Sequence, residues 1–107
     1  MRRSSITVGR YGGELVADER DSAFFDRADA HIHLANDQSG NVKRGQVSAS
    51  LLYGAARFNA FVSACKAESA EHLQSSKEMI IEYFMKEYRL MLEENLNDYV
   101  KNFEKYI

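Results

Sequence analysis

The chain has 107 residues, of which 45% are hydrophobic and 28% charged, and its formal net charge is −2. This length and composition predict one soluble domain with a small hydrophobic core. The slightly acidic balance argues against a general nucleic-acid binder, which carries a basic excess. Cys65 is the only cysteine, so an intrachain disulfide and a CxxC metal or redox site are excluded.

The predicted location of the protein is the cytoplasm. A single cysteine suits a reducing compartment, and no window approaches the roughly 18 apolar residues that a membrane-spanning helix needs. The chain begins with Arg2 and Arg3 but lacks the apolar stretch of a secretory signal. We therefore expect neither a membrane nor a nucleic-acid partner.

Residues 1–17 are predicted to form a flexible, disordered tail, and residues 18–107 are predicted to form one helical domain. The tail holds three of the six glycines. Its alternation of Ile6 and Val8 with polar residues is too short to make a stable strand. The glycine spacing also lacks the helix that follows a phosphate-binding loop, so no such loop is predicted.

Two helices are predicted in the first part of the domain. The first starts near residues 18–22, where Asp and Ser are good N-caps, and ends near residue 36. Residues 37–46 are polar and hold two glycines, which predicts a loop. The second helix runs from about Ser48 to about Lys66, and its apolar or small residues on most sides predict a buried, central helix. Its apolar stripe consists of Leu51, Ala55, Phe58, Val62 and Cys65.

A long apolar stripe predicts a third helix that exceeds the other two in length. Its members follow one another at steps of three or four residues, and no Gly or Pro interrupts them. They are Ile81, Met85, Tyr88, Leu92, Leu96, Tyr99, Phe103 and Tyr106. The start of this helix stays open between Ser69, Ser75 and Ser76. The Asn and Asp residues near 95–97 are poor helix formers and favour a bend there.

These elements predict an all-α fold, a small three-helix bundle with a long C-terminal helix. A helix of about 30 residues is about 45 Å long, which exceeds what two shorter helices cover. Tyr99, Phe103 and Tyr106 are therefore predicted to form an aromatic interface that a second copy buries in a homodimer. Two alternatives stay open: a bend at residues 95–97 folds the last turns back, or the N-terminal segment covers them.

Three blocks of the sequence resemble a family of short bacterial helical proteins whose function is unknown. The blocks are DSAFFDRADAHIHLAND, SASLLYGAARFNAFVSA and FMKEYRLMLEENLNDYVKNFEKY, all within residues 18–107. The resemblance implies a small, all-helical, cytoplasmic protein whose domain begins near residues 17–19. It carries no catalytic residue over to this chain.

Four polar residues share one face of the first predicted helix, because they are spaced three, four and four residues apart. They are Asp26, Asp29, His33 and Asp37. Carboxylates and imidazole are suitable ligands for Mn, Fe or Zn. Metal sites in helical bundles, however, face inward and use a Glu-x-x-His motif, which is absent here, whereas this face is expected to point towards solvent. A solvated acidic face is therefore predicted, with a metal site as the alternative.

Arg57 and Asn59 lie among small and apolar residues of the second predicted helix. A partly buried guanidinium needs a carboxylate partner, so Arg57 is predicted to form an interhelical clamp. The candidate partners are Asp26, Asp29, Glu82 and Glu87. The alternative is that Arg57 grips an anionic ligand, because the planar guanidinium suits anion recognition.

The predicted function is a non-enzymatic interaction or assembly module that self-associates, with a second copy or another protein as its partner. The alternative is a small-molecule or metal-binding protein, including an enzyme, built around Arg57 or the acidic face of the first helix. His31 is predicted to be a boundary residue and Cys65 an unreactive core thiol. No catalytic residue and no cofactor are predicted.

Overall fold

A computed structural model of the chain describes residues 20–107, and the predicted tail over residues 1–17 lies outside this part. The described part is 84% helical and holds no strand. It consists of α1 (Phe24–Gln38), α2 (Arg44–Lys66), α3 (Ala70–Lys101) and α4 (Phe103–Tyr106). The prediction of an all-α, bundle-like fold whose last main helix is the longest is confirmed. None of the helices in residues 20–107 is long and apolar enough to cross a membrane.

Helix α1 starts and ends slightly later than predicted. Its N-cap residue is Ala23, whose side chain accepts no hydrogen bond. Asp21 precedes the N-cap, and its carboxylate receives the guanidinium of Arg27 at 2.6 Å. At the other end, the Ser39 hydroxyl donates to the carbonyl oxygen of Ala35 at 2.9 Å and closes the last turn.

Helix α2 begins at Arg44, four residues before the predicted start, so the loop that precedes it is shorter than expected. Its first turn includes Val47, which is 4% exposed and is the one buried hydrophobic residue in the described part of the chain. Burial of this side chain offsets the low helix propensity of Gly45.

Helix α3 begins with a side-chain cap. Of the three serines that the sequence leaves as candidate N-caps, Ser69 is the one that caps the helix. The Ser69 hydroxyl accepts the backbone N–H of His72 at 3.0 Å. In return, Nδ1 of His72 accepts the backbone N–H of Glu68 at 3.0 Å. This pair of hydrogen bonds is similar to a capping box, but the side chain at the third helical position is histidine and it accepts the N–H of the residue before the N-cap.

Helix α3 runs without a break through residues 95–97, where a bend was predicted. The Asn95 amide donates to the carbonyl oxygen of Met91 at 2.7 Å, so its polar side chain is satisfied along the helix. The chain turns instead at Asn102, which has φ −117° and ψ 32° and separates α3 from α4. The 32 residues of α3 give it a length of about 48 Å, close to the 53 Å longest dimension of the molecule.

The three main helices contact each other in sequence order, α1 with α2 and α2 with α3. The radius of gyration is 16.0 Å, about 3 Å above the value expected for a compact domain of this length. The arrangement is therefore open. The predicted burial of α2 is wrong for the single chain, because Leu51 and Phe58 on its apolar stripe are exposed.

Candidate functional site

An apolar face of α3 is exposed in the described part of the chain. We call it the outer face, and it consists of Ile81, Met85, Tyr88, Leu92 and Leu96. These side chains are 42–67% exposed. The inner face of α3, which includes Leu73, Ile80, Phe84 and Met91, is less exposed. At 100° per residue the two faces lie about 100° apart on the helix, so the packing of the inner face leaves the outer face open.

A second apolar surface lies on α2. We call it the α2 face, and it consists of Leu51, Phe58, Phe61 and Cys65. Phe58 is 63% exposed, and its ring lies 6.2 Å from that of Phe61. The prediction that Cys65 is a core thiol is wrong, because this free cysteine is exposed.

Both surfaces stay open because α2 and α3 meet near the turn that joins them. A cavity of about 280 Å³ lies there, lined by Ser63, Lys66 and Ala67 from the α2 side. From α3 it is lined by His72, Leu73, Ser76, Ile80, Tyr83 and Phe84. On the α2 side of the fold, by contrast, every residue from Ser48 to Phe58 is exposed. Residues 48–58 of α2 are therefore not covered by another described part of the chain.

The predicted aromatic interface at the C-terminus is only partly open. Tyr106 folds back onto Tyr99, with a distance of 5.1 Å between the ring centroids, while Phe103 is 57% exposed. Burial raises the pKa of Tyr99, and the neighbouring Tyr106 and Asp98 raise it further. The turn at Asn102 brings Tyr106 onto Tyr99. The alternative of a bend that folds the last turns back predicted such a contact, but it placed the bend at residues 95–97.

Arg20 joins the start of α1 to α3, a contact that no pattern in the sequence predicts. Its guanidinium donates to both carboxylate oxygens of Glu94, at 2.9 and 3.4 Å. The two side chains are only 7% and 12% exposed. The guanidinium carbon of Arg20 also lies 5.2 Å and 5.4 Å from the ring centroids of Phe24 and Phe25. These contacts pair the charge of Arg20 and link the start of α1 to α3, although its Nε is buried without a hydrogen-bond partner.

Arg57 does not form the predicted interhelical clamp. It is exposed, and within residues 20–107 it makes no ion pair. Asn59, also singled out from the sequence, is half-buried, and its backbone carbonyl oxygen accepts the Ser63 hydroxyl at 3.0 Å. The side chains of Arg57 and Asn59 are thus not brought together with an opposing carboxylate. A role for Arg57 in binding an anion remains a prediction.

The polar face of α1 points mainly to solvent, in agreement with the helical-wheel argument. Asp26, His33 and Asp37 are exposed, and Asp29 is half-buried. No three His, Cys, Asp or Glu side chains in residues 20–107 are placed to hold one metal ion. His31, expected at the boundary of the apolar stripe, is exposed as well.

The helices differ in charge, which matters for what each one attracts. Helix α2 carries Arg44, Arg57 and Lys66 and no acidic residue. Helix α3 carries seven acidic and four basic residues, a net charge of −3. Glu78 and Glu82 are exposed and lie three residues before Ile81 and Met85 of the outer face, so they border that face.

These features define an open all-α protein with exposed apolar faces on its two longest helices. Residues 24–100 match the family described as protein of unknown function, DUF3144. The match covers more than half of the chain, which therefore belongs to this family. Neither a curated protein nor a solved structure matches the chain.

Proposed function

We propose that this protein is a non-enzymatic interaction module that self-associates through the apolar faces of α2 and α3. The observation that carries the proposal is the lack of a core: Val47 is the one buried hydrophobic residue in residues 20–107. Folding of a domain relies on burial of apolar area as its main favourable contribution. A chain that buries so little by itself gains the missing burial by association.

The size of the two surfaces supports this proposal. The outer face and the α2 face together hold eight large apolar side chains that are 42–67% exposed. If each exposes on the order of 100 Å², they offer roughly 800 Å² per chain, which is about what each partner contributes to a stable protein interface. Isolated exposed apolar residues are normal, but a surface of this extent marks an interaction site.

The test is the molar mass of the full-length protein in solution, measured by size-exclusion chromatography with light scattering. The wild type is expected to be an oligomer at micromolar concentration. The double variant Met85→Glu/Leu92→Glu is expected to be a monomer, because it places two charges in the centre of the outer face. Val100→Glu is the matched control: Val100 lies on the same helix and is 78% exposed, but it does not belong to the outer face.

Two further variants separate the proposal from the alternatives drawn from the sequence. Tyr99→Glu/Phe103→Glu becomes monomeric if the C-terminal aromatic residues form the interface, and it stays oligomeric if the outer face does. Deletion of residues 1–19 converts a monomeric wild type into an oligomer if the N-terminal segment covers the apolar faces. A wild type that is monomeric at high micromolar concentration would overturn the proposal.

A further inference from the structure

We infer that the occupant of the α3 outer face is helix α2 of a second copy of this chain, so that two copies exchange α2–α3 contacts around a two-fold axis. This inference rests on the proposed function and names the partner surface within it. In a two-fold dimer each chain contributes its α2 to the partner's α3, so both apolar faces of both chains are covered at once.

The net charges of the helices favour the pairing of α2 with α3 over a pairing of two α3 helices or of two α2 helices. The contact of α3 with a second α3 brings together two helices that each carry a net charge of −3. The contact of α2 with a second α2 brings together two helices with three basic residues and no acidic one. The contact of α2 with α3 joins opposite charges, and like-charge contacts between proteins disfavour the other arrangements.

The positions of individual charged residues favour the same pairing as the net charges of the helices. Arg57 is exposed without an ion pair and lies four residues before Phe61 of the α2 face, so it borders that face. Glu78 and Glu82 border the outer face in the same way and are also exposed. When the two apolar faces meet, each brings charges of one sign to the rim of the contact, where they fix the choice of partner.

The two faces also match in length. From Leu51 to Cys65 the α2 face extends over about 21 Å, and from Ile81 to Leu96 the outer face extends over about 22 Å, at 1.5 Å per residue. Within one chain, the cavity between α2 and α3 at the turn is lined by Lys66 and Leu73 among other residues, and it involves no residue of either face. The α2 face of one copy can therefore contact the outer face of the other copy along its whole length.

The experiment is a charge exchange between two full-length variants. The first, Arg44→Glu/Arg57→Glu, changes the net charge of α2 from +3 to −1. The second, Glu78→Lys/Glu82→Lys, changes the net charge of α3 from −3 to +1. None of these four side chains takes part in an ion pair within the described residues. Circular dichroism of each variant checks that it is as helical as the wild type.

Dissociation constants are measured for each variant alone and for the equimolar mixture. If α2 contacts α3 of the other copy, each variant alone repels itself and binds at least about tenfold more weakly than the wild type. In the mixture both contacts again join opposite charges, so association returns to within about threefold of the wild type. Charged contacts at the rim also predict that the wild-type association weakens as salt is added.

The other outcomes decide against the inference in distinguishable ways. If the wild type is oligomeric and both variants associate at least as tightly as it does, the contact joins two α3 helices, two α2 helices or the C-terminal aromatic residues. Self-association then stands and the α2–α3 pairing is wrong. If the wild type is a monomer, both the pairing and the self-association are wrong.

Discussion

Arg20 and Arg27 are two arginines seven residues apart that illustrate how burial decides what an ion pair contributes. The pair of Arg20 with Glu94 is nearly buried, whereas the pair of Arg27 with Asp21 is more than half exposed. Removing one partner of a buried pair leaves an uncompensated charge, which costs far more than loss of an exposed pair.

Arg20→Ala is therefore expected to lower the free energy of unfolding by about 3–5 kcal/mol, because it leaves the carboxylate of Glu94 without its partner. Chemical denaturation followed by circular dichroism measures this change. Arg27→Ala is the matched control and should stay within about 1 kcal/mol of the wild type. Equal effects of the two substitutions would show that the Arg20 clamp does not hold α1 on α3.

Tyr99 is a residue for which the structure predicts a pH effect at alkaline pH. Its pKa in the folded chain is raised by burial, by Tyr106 and by Asp98, so folding favours the neutral phenol. This contribution to stability is present below the unfolded pKa of about 10 and is lost as the pH rises through the folded pKa.

An alkaline absorbance titration is expected to contain a tyrosinate component that titrates above the ordinary range of tyrosine and disappears in Tyr99→Phe. The same titration in denaturant should lose this component, because unfolding removes the burial that causes it. A component that persists in Tyr99→Phe would assign the raised pKa to another tyrosine and argue against the contact between Tyr99 and Tyr106.

The start of α3 depends on one hydroxyl among three serines. Ser69→Ala removes the acceptor of the His72 N–H bond and should destabilise the protein by about 1 kcal/mol. Ser75→Ala is the control, since the Ser75 hydroxyl donates back to the carbonyl oxygen of His72 from within the helix. This change should cost less than about 0.5 kcal/mol in thermal or chemical unfolding. A larger effect at Ser75 would place the functional N-cap elsewhere.

The helices and their order were predictable from the sequence, whereas the direction in which each apolar face points was not. The stripe from Ile81 to Leu96 indicates a helix correctly, because periodicity depends only on the chain itself. It does not say what covers the stripe. The inner face of α3, with Ile80 and Phe84, is apolar too, and the sequence contains no measure of which of the two faces packs within the chain.

The same reasoning explains the errors on α2 and at the C-terminus. Apolar residues around α2 predict a buried helix, but the pattern does not say what covers it, and within the single chain Leu51 and Phe58 are exposed. The turn at Asn102 was missed because Asn95 and Asn97 are equally poor helix formers by intrinsic propensity. Hydrogen bonding decides between them: Asn102 donates to Asp98 Oδ1 at 2.8 Å and ends the helix, while Asn95 is satisfied within it.

For the whole molecule, the open arrangement predicts that stability depends on protein concentration. When the folded form is a dimer, a tenfold rise in concentration stabilises it by about 1.4 kcal/mol. The melting temperature of the wild type should therefore rise by about 3–5 °C per tenfold rise in concentration. Scanning calorimetry over two decades of concentration measures the shift. A constant melting temperature would indicate that the folded unit is the single chain.

Phe58 is the side chain at which the contribution of the α2 face to self-association can be tested. Phe58 and Tyr53 are both aromatic, both on α2 and 63% and 71% exposed, but Phe58 belongs to the α2 face and Tyr53 points to the opposite side of the helix. Phe58→Ala is expected to raise the dissociation constant at least about tenfold, as truncation of a buried aromatic anchor does, while Tyr53→Ala leaves it nearly unchanged. Sedimentation equilibrium measures both constants.

Because neither ring contributes to a core within one chain, both variants should unfold alike at concentrations below the dissociation constant. If Phe58→Ala associates as tightly as the wild type, the α2 face is not the contact surface, and the outer face of α3 must be covered by something other than α2.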